Sequence, residues 1–171
     1  MPPSAKSFAS PQVFLRSIRL MSEAFFAFDS LNRTQLRAFG LTPAQFDIIA
    51  TLGNTAGLTF GELGQKTLIT KGTLTGVVDR LSALGLVERK TGQPDRRTIV
   101  VKLTSKGETM FERAFPAMLE GLEQLFAQAG YQEEDFTLLS QQFTRLRDCF
   151  KGRGRPGGDS IGEDLSSEAA Q

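Results

Sequence analysis

Between Gly61 and Gly107, nine Lys and Arg stand against four Asp and Glu, a surplus of five positive charges in a chain whose formal net charge is only +1. From Glu108 to Phe150 the balance reverses, with three Arg against eight acidic residues. A basic module beside an acidic one points to a polyanion as partner of the first, because cation density offsets phosphate repulsion and releases condensed counterions. Within the basic stretch, Thr70, Lys71, Gly72, Thr73 and Thr75 bring hydroxyls, an ammonium and a small residue together. Arg80 follows, and Asp95, Arg96 and Arg97 crowd a turn-rich segment. Hydroxyls and cations are the groups that meet phosphate oxygens and base edges on a duplex. The plainer alternative is a solvated charged face.

Residue types argue against catalysis. The chain has no His, which removes the commonest general base, the side chain that titrates near neutral pH and the commonest metal ligand together. Gly61-Glu62-Leu63-Gly64-Gln65-Lys66-Thr67 departs from a phosphate loop, because its Gly and Lys are not adjacent and no strand is expected before it. Gly57-Leu58-Thr59-Phe60-Gly61 carries Thr where a nucleophile elbow has Ser. No catalytic residue, metal or cofactor is expected.

Something must hold the basic and hydroxyl residues on one face. Thr59 and Glu62 have capping-box spacing and start a short helix. After Leu68 and Ile69, Thr70 is placed to cap a second helix, in which Leu74, Val77, Val78, Leu81 and Leu84 form one stripe of a 3.6-residue period. Gly85 supplies its left-handed end. Gly72, Thr75, Gly76 and Asp79 then face outward, flanked by Lys71, Thr73 and Arg80. Each Gly costs an exposed helix about 1 kcal/mol relative to Ala. Their i, i+4 placement therefore suits close approach by a DNA backbone, a base edge or a protein partner. Leu86–Lys90 and Thr98–Leu103, with Ile99, Val101 and Leu103 alternating, make a β-hairpin with a basic tip. The order predicts a mainly α chain with a small β-hairpin wing, an α+β winged helix-turn-helix over residues 41–104.

Leu41-Thr42-Pro43-Ala44-Gln45-Phe46, the helix from Thr70 to Leu81, the exit Gly85-Leu86-Val87-Glu88-Arg89, and Asp95-Arg96-Arg97 followed by Leu103-Thr104-Ser105-Lys106-Gly107 together resemble the MarR family of bacterial transcription regulators, over roughly residues 11–150. The resemblance implies a homodimeric DNA-binding repressor or activator, released from its operator by a small aromatic or phenolic ligand, or by thiol oxidation in one branch. It also implies that Arg97 enters the minor groove at the wing tip with Asp95 orienting it, while Arg96 meets phosphate. Recognition helices of a helix-turn-helix dimer enter successive major grooves, so the operator should be a pseudo-palindrome with half-sites about 10 bp apart. Base reading would fall to Thr70, Lys71, Thr73 and Thr75, none a strong bidentate reader, so DNA shape should share in specificity. Arg80 is either a phosphate contact or the partner of a carboxylate.

Two alternatives accompany that reading. The thiol-sensing branch carries its reactive Cys early in the chain, whereas the single Cys here is Cys149. It is a small apolar filler or, with Arg145 and Arg147 beside it, a redox sensor. A winged helix that binds only proteins would keep the fold without needing Arg96 and Arg97.

The flanks complete the organisation. Residues 1–9 read as a flexible arm, and Ser10-Pro11 starts a helix with Phe14, Ile18, Met21, Phe25 and Phe28 in one apolar stripe. That stripe is core, or Phe25 and Phe26 line an effector site in which Arg16 or Arg19 meets a ligand carboxylate. Leu41 and Phe46 staple a helix capped by Thr42 and Gln45, with Pro43 at its first position, running to about Leu52. Thr104 caps a long helix in which Pro116 predicts a kink near Ala114. Gly130 ends it, and a last helix over Glu133–Phe150 carries Phe136, Leu139, Phe143, Leu146 and Phe150. A two-fold dimer built from residues 10–40 and 105–150 would bury these stripes, an intrachain layer being the alternative. Residues 151–171 read as a disordered tail. One Cys, no apolar leader and no run of about 20 apolar residues suggest a reducing cytoplasm and no membrane partner.

Overall fold

Residues 10–91 and 98–153 are described by a computed structural model. Helix α1 (Pro11–Leu36) leads through a 3-10 turn (Arg37–Phe39) to α2 (Pro43–Leu52), β1 (Leu58–Thr59), α3 (Phe60–Lys66), α4 (Lys71–Ala83), β2 (Val87–Thr91), β3 (Ile99–Leu103), α5 (Ser105–Gln128) and α6 (Glu133–Arg153). The fold is mainly helical with a small antiparallel wing, as the sequence predicts. The chain divides into two compact units, one reaching Gly121 and one starting at Leu122.

Local chemistry sets the helix starts of the first unit. The Thr42 N–H donates to Gln45 Oε1 at 2.9 Å and the Gln45 N–H to Thr42 Oγ1 at 3.3 Å, while Pro43 occupies a position whose N–H would have no intrahelical partner. Thr59 and Glu62 form the second capping box. The N–H and hydroxyl of Thr59 hold the Glu62 carboxyl below its ordinary pKa. Thr70 does precede α4, but its hydroxyl donates to Thr73 Oγ1 at 3.0 Å instead of capping a backbone N–H.

The core gathers Ile48, Ile49 and Leu52 of α2, Leu63 of α3, and Leu74, Val77, Val78 and Leu81 of α4 against Leu86, Val87, Val101 and Leu103, with Leu36 and Met118 joining from α1 and α5. Full burial of each such side chain contributes about 1.5–3 kcal/mol. Two stripe assignments fail at their ends. Leu84 is 45% exposed because it is the residue past the last turn of α4, and Ile99 is 49% exposed at the far end of β3, opposite Thr91.

The strand β1 was not expected. It pairs Leu58 with Val101 and Thr59 with Val100, giving a three-stranded sheet ordered β1-β3-β2. Two residues carry no periodicity of their own; only β3 beside them makes them a strand.

The exit of α4 is bound on several sides. The Leu86 N–H reaches the Leu81 carbonyl and the Gly85 N–H that of Ser82, both at 2.9 Å, with Gly85 at φ 69°, a left-handed turn that favours Gly. The Thr104 hydroxyl then donates to the Gly85 carbonyl at 2.7 Å and Lys106 Nζ to that of Leu84 at 2.8 Å. Thr104 Oγ1 also accepts the Gly107 N–H, so it caps α5 as its position predicts. Helix α5 continues through Pro116.

The stripe of α1 is mostly not core. Leu36 is the one buried residue of α1, and Phe25 and Phe26 are 60% and 69% exposed. In the second unit, Phe126, Tyr131 and Phe136 pack ring to ring at 4.9–5.7 Å about the turn at Gly130, whereas Leu138, Phe143 and Phe150 of α6 are exposed. Helix α6 runs to Arg153, three residues past its expected end. The expected arm (1–9) and the remainder of the expected tail (154–171) lie outside the described residues.

Candidate nucleic-acid interface and effector cleft

Helix α4 buries Leu74, Val77, Val78 and Leu81, and the same register turns Lys71, Gly72, Thr73 and Thr75 to the exterior, with Thr70 exposed at its start. A Cβ added at Gly72 or Gly76 would meet nothing within 4 Å. Nothing inside the described chain therefore requires either glycine, although both lower helix propensity.

Asp79 and Arg80 separate in role. Asp79 is paired with Arg89 of β2, and the Arg89 guanidinium lies 5.3 Å from the Phe60 ring centroid, so this triad ties α4, the wing and α3 together. Sequence reasoning counted Arg89 only among the cations and in the helix exit, because its partner lies ten residues away. Arg80 is exposed and has no ion-pair partner among the described residues, which leaves it available to an external anion. Glu88 takes up two further cations, Lys102 at 3.1 Å and Lys90 at 3.3 Å, and its carboxyl is held below the ordinary value chiefly by Lys102. The cations of α4 are Lys71 and Arg80, and neither has an ion-pair partner among the described residues. Asp95, Arg96 and Arg97 lie outside the described residues.

A cleft of about 380 Å³ is lined by Phe25, Phe28 and Leu36 of α1, Phe46 and Asp47 of α2, and Leu68 and Ile69 of the turn between α3 and α4, among others. Of the four residues expected to hold an effector, Phe25 lines it, and Arg16, Arg19 and Phe26 do not. Arg19 pairs instead with Glu23 at 2.8 Å on the exposed flank of α1. Sequence reasoning missed Asp47, whose Oδ2 accepts the Leu68 N–H at 3.1 Å. A single Asp within an apolar helix gives no sign that its partner is 21 residues away.

Burial pushes the Asp47 carboxyl above its ordinary pKa, with the Leu68 hydrogen bond opposing. Its folded pKa therefore exceeds the unfolded one. Ionisation costs stability as pH rises through the unfolded value, the cost is complete above the folded value, and it vanishes in acid. Asp47→Asn is expected to raise the melting temperature at neutral pH, with the gap to wild type closing below about pH 4. A gap that persists in acid would show that charge burial is not its cause.

The chain is similar to known proteins. Residues 39–98 match the MarR family. An HTH-type transcriptional regulator of Bacillus cereus is 31% identical over 134 residues, 78% of this chain and 86% of its own length. The homoprotocatechuate degradative operon repressor of Escherichia coli is 28% identical over 118 residues, covering 68% and 80% respectively. The crystal structure of NadR in complex with 4-hydroxyphenylacetate superposes with a TM-score of 0.60 at 28% identity, covering 85% of this chain and 97% of that one.

Proposed function

The chain belongs to the MarR family of transcription regulators, and we propose that it acts as a homodimeric repressor which binds a pseudo-palindromic operator and is released by a small aromatic effector, for which the sequence reading expects a phenolic or other organic acid. The observation that carries this reading is the outer face of α4, where hydroxyls, an ammonium and two glycines stand exposed or half-exposed with no intrachain use for the glycines. In the complex, Thr70, Lys71, Thr73 and Thr75 lie along base edges, Gly72 and Gly76 let the helix backbone close on the groove, and Arg80 and Arg96 meet phosphate. Arg97 enters the flanking minor groove, supported by Asp95.

A second copy of the chain supplies the apolar cover that exposed residues such as Leu20 and Phe26 of α1, and Leu138 and Phe143 of α6, lack within one copy. The effector acts through the cleft because Leu68 and Ile69 belong both to its lining and to the turn that sets α4. A ligand that favours one placement of that turn shifts DNA affinity by the same coupling free energy. The structure of NadR in complex with 4-hydroxyphenylacetate, an aromatic acid, supports an aromatic ligand. Cys149 is exposed, so it is not a buried filler, but the adjacent Arg147 is paired with Asp148, which commits that cation elsewhere and favours the ligand reading over the thiol one.

Replacing both Arg96 and Arg97 with Ala tests the DNA half. The variant should stay folded, lose operator affinity, and show a log–log salt dependence shallower by about two counterions per protomer, about four for the dimer. DNA retention equal to wild type would move the function to protein binding.

A further inference from the structure

We propose that the cleft takes an aromatic molecule bearing a protonated amine, with the Asp47 carboxylate as its charge partner. This rests on the reading of the cleft as the effector site. The lining combines aromatic and aliphatic side chains with Asp29, Asn32 and Asp47, and contains no Lys or Arg. Asp29 is already matched by Arg33 at 2.8 Å. Asp47 has the Leu68 N–H but no ion-pair partner among the described residues.

A partly desolvated carboxylate without a cation favours an incoming ammonium through a charge-assisted hydrogen bond, and disfavours a second carboxylate in the same space. The rings of Phe25, Phe28 and Phe46 add faces that attract a cation as well as an aromatic body. The arginines that would have greeted a ligand carboxylate, Arg16 and Arg19, lie outside the lining. The burial that raises the Asp47 pKa is the same desolvation a bound ammonium would offset. Because Asp47 also holds the Leu68 N–H in the turn entering α4, an ammonium drawn to it acts directly on the segment that places the reading helix.

Calorimetric titration of the full chain with tyramine and with 4-hydroxyphenylacetate, matched phenols carrying an ammonium or a carboxylate, tests this. Tyramine is expected to bind roughly tenfold more tightly or better. Asp47→Asn, which keeps an acceptor for Leu68, should erase that preference without unfolding the chain, as a melting curve would verify. Tighter binding of the acid, or an amine preference that survives Asp47→Asn, overturns the inference while leaving the effector cleft standing. If neither probe binds, the inference and the effector reading of the cleft are both overturned.

Discussion

Gly107→Ala should lower the unfolding free energy by about 3 kcal/mol, the upper range for forcing atoms into a packed interior. On helix propensity alone the substitution would gain about 1 kcal/mol, so the sign is decided by packing. Gly107 is buried in the first turn of α5, and an added Cβ would stand 2.0 Å from the Leu86 carbonyl oxygen and 3.2 Å from Leu103 Cδ2. The side chain can give a little, but the backbone carbonyl does not yield cheaply. The Leu86 carbonyl accepts the Thr104 N–H at 3.1 Å, and the Leu86 N–H closes the end of α4, so displacing that peptide loosens the exit of α4 and the start of α5 together. Gly76→Ala is the internal control: the same methyl group, placed where nothing lies within 4 Å, should stabilise the chain by about 1 kcal/mol. Urea midpoints of the two variants are expected to move in opposite directions. A Gly107→Ala midpoint at or above wild type would mean that α5 does not press on Leu86.

Gly76→Leu separates folding from function in the other direction. Leu is a far better helix former than Gly, and the side chain would leave the surface unopposed, so the denaturation midpoint should hold or rise. Operator affinity should fall roughly hundredfold or more, since a side chain between α4 and the groove lifts Lys71, Thr73 and Thr75 off base edges, and each good base contact is worth about 1–3 kcal/mol of discrimination. Gel-shift titration at fixed salt reads the loss. Undiminished specific binding by a folded Gly76→Leu would remove α4 from the groove and leave its glycines without explanation.

The local signals in the sequence were strong where one residue satisfies another nearby. Both capping boxes, the buried stripe of α4 from Leu74 to Leu81 and the left-handed Gly85 are decided within a few positions of chain, and all appear where spacing puts them. What was hidden depends on partners distant in sequence. The two-residue β1 exists through β3, Gly107 is required by the Leu86 carbonyl, and Asp47 acquires its character from Leu68. The apolar stripe of α1 misled in a different way. Its period is that of a buried helix face, but periodicity does not say whether the covering surface belongs to the same chain, and most of this face is exposed. Charge counting gives the net surplus but not which cations are engaged: Arg89, Lys90 and Lys102 are paired with Asp79 and Glu88.

The central claim is specific recognition of a two-fold operator by a dimer. Selection of bound duplexes from a random DNA pool by the purified chain, at near-physiological salt and read by sequencing, tests it most directly. The account predicts enrichment of one pseudo-palindrome with half-sites about 10 bp apart. Sequence-indifferent binding that fades with salt, with no enriched half-site, would contradict it.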